Sequence, residues 1–456
     1  MVDAGSYDSA LATARAERDD WITVETTRTG TAEIATGTAG TAPIHLTTRA
    51  GTLYGSWDLL SVHEQAADTG LDLLEITRRV SLRTRYTPAT FWRGIHLLTE
   101  RATAHLARDG ALTLRLPEPA EHTRARTLRA DADPVPAFIR LLGHLVARHP
   151  WDGPSTGVQL SGGLDSTNIA LALAAALPGH HVTAGAVVLD GERGRQQTER
   201  RAVILRHIGA SWRDVLVPAM DHLPYGPTSW YSRPGRVSPY GDLYLDAIDR
   251  LSDLLSSRGV KTLFTGIGGD ELMSFTTAEK PRGVTGPDLG VPPWLGPTAR
   301  GLLAEVDRGI TPAAVVPETA LMAKAGVAAP LLRRGIWPVH PLTDPALIRF
   351  SEWMPAEWRR DKRLLRETID RAGLPPHIAR PPIPENFGHV MTLAMRRHGP
   401  ARIHRLLDQG SPLIEAGITD PVELKAVADR LCRRDDSRAD REVVFALLAD
   451  SALTGR

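Results

Sequence analysis

The spacing of apolar residues changes along the chain, and each change of period predicts a change of structure. Residues 1–20 are polar and compatible with helix. From Trp21 to Tyr54, threonines and β-branched residues alternate in twos between glycines, which predicts antiparallel strands and hairpins. Between residues 57 and 81, Leu59, Leu60, Val62, Leu71, Leu73, Leu74 and Ile76 recur at helical spacing. A short strand is expected over Ala111–Leu116. The Pro- and Arg-rich stretch 117–134 has no period and reads as a linker. Pro136–Arg148 then gathers Phe138, Leu141, Leu142, Leu145 and Val146 on one helical face.

Beyond residue 150, strand and helix alternate. His181–Asp190 reads as a buried parallel strand. A helix over Arg200–Ile208 follows, its arginines reading as a solvated outer face rather than as a phosphate contact. Next come a strand over Trp212–Val217, a helix over Leu243–Leu255 and a strand from Val260. This order predicts an α/β fold with a doubly wound, mostly parallel sheet. Leu321–Leu332, Asp344–Trp353, Lys362–Ala372, Val390–Leu407 and Pro421–Leu448 read as helices and make the C-terminal part helical; the last is long enough for two. Residues 281–298 and 375–388 are rich in Pro and Gly and read as lids or binding loops. The chain thus divides into a smaller β-rich domain, residues 1–130, and an α/β domain, residues 131–456.

Candidate chemistry starts at Val158–Ala170, V-Q-L-S-G-G-L-D-S-T-N-I-A. An apolar strand ends at Leu160, Ser161-Gly162-Gly163 turns, and good helix formers follow over Ile169–Leu177. Backbone N–H groups at such a helix start favour an anion, and glycines let phosphate approach closely. Ser161 and Ser166 add hydroxyls. A carboxylate among phosphate binders is repelled unless a divalent cation intervenes, so Asp165 implies Mg²⁺. The stretch is not a Walker A loop, because it lacks Gly-Lys-Ser/Thr. In an open α/β sheet an adenine would lie against the strand end near Val188 and Leu189.

S-G-G-L-D-S resembles the pyrophosphate loop of the ATP pyrophosphatases (the PP-loop superfamily), in the form used by the asparagine synthetase family. Leu263-Phe264-Thr265-Gly266-Ile267-Gly268-Gly269-Asp270-Glu271-Leu272 resembles the family's second block. Pro341-Leu342-Thr343-Asp344 is similar to its Pro-Phe-Leu-Asp, and Lys362–Glu367 to Lys-x-Leu-Leu-Arg-Glu; together the blocks cover residues 150–385. The resemblance implies that Asp270 joins Asp165 in holding Mg²⁺ on pyrophosphate, with both counted as catalytic. It implies that Leu160, Ser161, Gly162, Gly163, Asp165 and Ser166 cradle the phosphates, and that Thr265 and Gly266 touch the nucleotide. The implied reaction splits ATP between its α- and β-phosphates. A carboxylate becomes an acyl-adenylate, pyrophosphate leaves, and an amine then displaces AMP.

The N-terminal layout, with T-P-A-T-F-W-R-G-I-H-L-L, resembles the family's Ntn glutaminase half. That half needs a cysteine after the initiator methionine, where this chain has Val2. The domain is therefore expected to be a degenerate glutaminase, and the amine to come from elsewhere. Two further departures concern the acyl-transfer site. Ile267 stands where the family has Glu or Tyr. No lysine follows Arg380-Pro381, where the family has a catalytic one. Arg380 is the nearest cation and is taken as the third catalytic candidate. Glu385 and Asn386 lie where the lysine would be. Lys362 reads as a member of a structural ion pair. His207, His222 and His340 read as packed or solvent-facing rather than as bases.

Composition narrows the classes. The net charge of +1 gives no general attraction to nucleic acid or to an anionic membrane. The single cysteine, Cys432, excludes disulfides within the chain and a cysteine-based zinc site. No apolar run approaches the ~20 residues that span a bilayer, and no secretory pattern opens the chain, so the cytoplasm is expected. The expected function is an ATP-dependent, AMP-forming amide synthetase of specialised metabolism. It would close a lactam or macrolactam as β-lactam synthetases and lasso-peptide cyclases do. The substrate would be a small molecule or peptide carrying both carboxylate and amine. The alternatives are an ATP-binding partner protein with reduced catalysis, and an adenylating enzyme that uses another nucleophile. A partner protein or homo-oligomer stays open.

Overall fold

The computed structural model describes residues 9, 12–13, 20–67, 70–149, 152–209, 212–233, 237–275 and 290–454. The helix-compatible start, residues 1–20, lies almost wholly outside the described residues, as do residues 281–289 of the first Pro/Gly-rich loop.

Two antiparallel sheets make the N-terminal part. Its strands are β1 (Ile22–Thr26), β2 (Ala32–Thr36), β3 (Ile44–Arg49), β4 (Thr52–Ser56), β5 (His96–Leu98), β6 (Thr103–Leu106) and β7 (Leu112–Arg115). One sheet runs β1-β2-β6-β7 and the other β4-β3-β5. Arg49 pairs with Thr52, so the β3–β4 hairpin turns on Ala50 and Gly51 alone. Both have positive φ, 49° and 76°, the turn whose twist suits two strands. The apolar core between these sheets is small: Ile34, Leu46, Leu98, Ala102 and Ala104. Helices α1 (Leu59–Gln65) and α2 (Leu73–Val80), capped by Asp58 and Asp72, supply the larger apolar face. Their Leu59, Val62, Ile76 and Val80 belong to one core with Met395, Ile403, Leu447 and Leu448 of the C-terminal helices. Residues 117–130 carry no regular element but are tied down: Thr123 N donates to Glu352 Oε2 at 3.0 Å and Arg126 N to the Trp353 carbonyl at 2.9 Å.

The second sheet system is all parallel. It comprises β8 (Thr156–Gln159), β9 (Thr183–Val188), β10 (Arg213–Pro218), β11 (Thr262–Phe264) and β12 (Trp337–Val339), in the order β10-β9-β8-β11-β12. The chain winds from β8 outward to β10, then returns to the other side of β8. The winding therefore reverses between β8 and β11, the crevice where such sheets bind ligands. Thr262 pairs with Thr156 and Phe264 with Val158, so the loops after the two strands start side by side. Around the sheet lie α3 (Val135–Ala147), α4 (Leu164–Ala176), α5 (Gly191–Ile208) and α6 (Leu245–Ser257). Helix α5 starts nine residues before its expected start because Gly191-Glu192-Arg193-Gly194 has no apolar period to reveal it. A Cβ at Gly194 would overlap the Leu189 carbonyl, so glycine lets this first turn lie against the end of β9. Strand β12 is not legible from sequence: it is three residues long with Pro338 at its centre, tolerated on an edge strand.

The chain continues through the short α7 (Gly269–Leu272), then α8 (Glu318–Leu332), α9 (Pro345–Trp353), α10 (Arg363–Arg371), α11 (Gly388–Gln409), α12 (Pro421–Arg433) and α13 (Val444–Leu453). The run expected over 421–448 is broken where Arg434 turns left-handed, φ 59°. Among the described residues no helix is long and apolar enough to cross a membrane.

Candidate active site

Two glycine-rich loops meet at the reversal point. The first leaves β8 at Leu160, whose N–H donates to the Gly185 carbonyl at 2.9 Å. Gly162 adopts φ 92°, a conformation glycine takes without strain, and α4 begins two residues later with Asp165 in its first turn. The second loop leaves β11 at Thr265 and turns at Gly268, φ 98°, into α7. A Cβ on Gly266 would come within 2.8 Å of the Ser166 N, and one on Gly269 would overlap the Asp165 carboxyl. The Gly-Ile-Gly-Gly-Asp spacing is thus what lets the second loop press against the first.

This contact brings Asp165 and Asp270 together. The Lys362 ammonium lies between them, 2.7 Å from Asp165 Oδ2 and 2.7 Å from Asp270 Oδ1. Lys362 is therefore in an ion pair, as the sequence suggests, but with the two site aspartates. Both Asp361 and Lys362 have positive φ, 51° and 55°. Left-handed non-glycine residues cost about 1–3 kcal/mol each and cluster at functional sites. Burial raises the pKa of the Asp165 carboxyl above its ordinary value, against the Lys362 ammonium and with the Asp270 charge adding to the rise. Burial alone would lower the pKa of Lys362, but the two carboxylates together raise it. The ammonium is accordingly held charged, while Asp165 is short of positive charge.

That shortage bears on the metal. Two facing carboxylates fit a magnesium ion that keeps some of its water and takes further oxygens from phosphate. A fuller protein cage is absent: among the described residues no group of three or more His, Cys, Asp or Glu side chains could hold a metal.

The phosphate loop is closed by its own serines and by one distant residue. Ser161 N and Oγ each lie 3.1 Å from Ser166 Oγ, and Gly163 N donates to Ser161 Oγ at 3.2 Å. The Glu385 carboxylate covers the turn: a Cβ on Gly162 would lie 3.5 Å from its Oε1 and one on Gly163 3.4 Å from its Oε2. Burial raises the pKa of Glu385, opposed by hydrogen bonds from Arg200 and Ser161. Arg200 and Arg201 correct the expectation of a solvated arginine face on α5, since both point inward and are 3% and 1% exposed. The apolar residues of α5 are too few to show from sequence which side is inner.

The remaining candidates are placed as follows. The Leu189 N–H is taken by Gln197 Oε1 at 2.9 Å, and Gln197 Nε2 donates to the Val187 carbonyl at 3.1 Å. A side-chain amide thus engages the strand end around Val188 and Leu189, where adenine was expected. The Thr265 hydroxyl is buried 2.6 Å from His340 Nδ1 and accepts from Ile267 N at 3.3 Å, so it braces the second loop from behind. Burial, with Lys324 nearby, holds the His340 pKa well below the ordinary value and keeps the ring neutral. Arg380 is paired with Asp370, NH1 to Oδ2 at 2.8 Å, on an exposed surface. Among the described residues, Lys362 reaches Asp165 and Asp270, while Arg200 and Arg201 lie against the first loop. The sequence offers two partial signals for them: the lysine at the start of Lys-x-Leu-Leu-Arg-Glu, and a phosphate contact as the less favoured reading of the α5 arginines.

Residues 137–305 match the asparagine synthase family. No curated protein matches the sequence. Among solved structures, the U34-tRNA thiolase from Methanococcus maripaludis is similar at 12% identity and a TM-score of 0.30, over 66% of this chain and 82% of that one. Asparagine synthase domains are ATP-using ligases, which bind ATP usually with Mg²⁺; ATP-dependent chemistry is thus the general activity of the matched region. The stretch that matches the asparagine synthase family, residues 137–305, carries β8 to β11 of the parallel sheet and both glycine-rich loops.

Proposed function

We propose that the chain is an AMP-forming carbon–nitrogen ligase that activates a carboxylate with ATP and passes it to an amine, forming a lactam or macrolactam. The observation that carries this reading is the packing of Gly266 and Gly269 against Asp165, which sets two carboxylates beside a serine-glycine turn at the sheet's reversal point. ATP would lie with its terminal phosphates over Ser161–Gly163. There the hydroxyls of Ser161 and Ser166 and the first N–H groups of α4 donate to oxygens that gain charge as pyrophosphate leaves. Magnesium held by Asp165 and Asp270 would supply charge neutralisation on that leaving group. The Lys362 ammonium now lies between the aspartates, so it would give way to the metal there and offer its charge to the phosphates beside them. It can stand for the lysine that residues 381–388 lack.

The one cysteine, Cys432, is exposed on α12 in the C-terminal part. No thiolate is then available to release ammonia from glutamine in the N-terminal sheets, and the amine is best supplied by the substrate itself. Ile267 offers no proton acceptor for that amine, which favours a second reading: an ATP-binding partner protein in which acyl transfer has been lost. Pyrophosphate release from Mg²⁺–ATP, screened over small acids and peptides that carry their own amine, separates the two. Release that Asp165→Ala abolishes supports the ligase. Nucleotide binding with no release for any acid supports the partner protein.

A further inference from the structure

Helix α5 turns two arginines toward the phosphate loop, and neither is fully used. Arg200 Nε donates to the Gly162 carbonyl at 3.1 Å and its NH2 to Glu385 Oε1 at 3.0 Å. Its NH1 is buried with no hydrogen-bond partner among the described residues. Arg201 NH2 pairs with Asp214, while its Nε and NH1 are likewise buried without partners. The Arg201 side chain passes directly behind the turn, its Cγ 3.3 Å from where a Gly162 Cβ would be. Buried guanidinium N–H groups normally find acceptors. Here three unsatisfied nitrogens belong to side chains packed against a turn that the Glu385 carboxylate covers.

A carboxylate offers two oxygens on a single charge, whereas a pyrophosphate group offers more of both. Arginine matches phosphate oxygens in paired fashion. With Glu385 in place, Arg200 and Arg201 face Glu385 and Asp214 and the formal charges cancel. With Glu385 withdrawn, one positive charge is left facing the loop.

We infer that Arg200, backed by Arg201, is the cation that grips the departing pyrophosphate, and that Glu385 occupies its place until phosphate arrives. The inference rests on the ATP-using reading above. It adds a residue pair and a competing carboxylate that the glycine loops do not imply. Glu385 follows Pro381, Pro382 and Pro384 in an irregular segment just before α11, so its withdrawal disturbs no helix or strand.

The test is calorimetric binding of inorganic pyrophosphate and of ATP, each with Mg²⁺, to the full chain. Glu385→Gln keeps the shape and removes the charge, and is expected to bind pyrophosphate about tenfold more tightly. Arg200→Lys, which keeps a charge in the buried position, and Arg200→Ala are expected to bind it about tenfold more weakly or worse. The double variant Glu385→Gln/Arg200→Ala should show no gain, since the gain acts through Arg200. Melting temperatures identify any variant that fails to fold, and Glu385→Gln alone then decides. Wild type that binds ATP while Glu385→Gln binds pyrophosphate no better overturns this inference and leaves the ATP reading standing. Wild type and Glu385→Gln that bind neither ligand overturn both.

Discussion

The two walls of the site are made of different material. One wall is backbone: Ser161–Gly163 and Gly266–Gly269 are shaped by glycines that allow positive φ or close approach, and they lead into Asp165 in the first turn of α4 and Asp270 in the short α7. The other wall is side chains: Lys362, Arg200 and Glu385 reach in from three separate segments. A backbone wall tolerates almost no substitution, because a single methyl collides with a neighbouring loop. A side-chain wall can be rebuilt residue by residue, provided charge still balances. Of the two departures from the resembled family, the missing lysine falls on the side-chain wall, whereas Ile267, where that family has Glu or Tyr, sits within the backbone wall between Gly266 and Gly268.

This contrast can be broken by mutation, most severely at the backbone wall. Gly269→Ala and Asp165→Ala should each lower pyrophosphate release by about a thousandfold or more, since one forces the loops apart and the other removes the charge that positions the metal. Single-turnover release, with melting temperature as control, checks this. Retained activity in Gly269→Ala would show that the loops need not touch. Lys362→Met tests the side-chain wall and should slow release by about a hundredfold. Its stability cost should be about 1–3 kcal/mol and should come from Asp165, which keeps a largely buried carboxylate without its partner, since the Asp270 side chain is 85% exposed and water can replace the ammonium there. Denaturant unfolding with and without Mg²⁺ reads that cost.

Smaller effects are expected behind the backbone wall. Thr265→Val leaves the His340 ring and the Ile267 N–H without their buried partner, at about 1–3 kcal/mol. Release should change less than it does in Lys362→Met. Lys324, on α8, donates to the Ala39 carbonyl and to Thr343 Oγ1, and burial lowers its pKa from 10.5 to about 7. A lysine with a depressed folded pKa binds its proton less readily than the unfolded chain does. Between about 7 and 10.5 the unfolded state therefore carries more protons, so stability should rise with pH across that window. Melting curves from pH 7 to 9 should show the rise, and Lys324→Met should flatten it. Least affected should be Arg380→Ala. Its exposed pair with Asp370 should be worth under about 0.5 kcal/mol, and release should be unchanged.

The same contrast explains what could be read from sequence. The parallel sheet, the phosphate loop and the second Gly-Gly-Asp block were legible because strand period and glycine spacing are local properties. Helix α5 was half legible: its existence followed from its composition, but its inner face did not, because Arg200 and Arg201 occupy positions that apolar residues usually fill. Lys362 was assigned to an ion pair without its partners, since nothing within its own segment points to Asp165, almost two hundred residues earlier. Arg380 was favoured because it lies nearest the missing lysine in sequence. The chain instead uses Glu385, five residues on, to reach the loop. Proximity along a segment is a poor guide where side chains converge from separate elements.

The core shared by α1, α2 and the C-terminal helices sets a limit on how this molecule can be trimmed. Leu59, Ile76 and Val80 belong to the same core as Ile403, Leu447 and Leu448, and α2 packs directly on α13. Cutting the chain after residue 130 would therefore open a greasy hole in the remaining piece. The sheets that have no thiol to offer still act as a keystone for the part that carries the two glycine-rich loops.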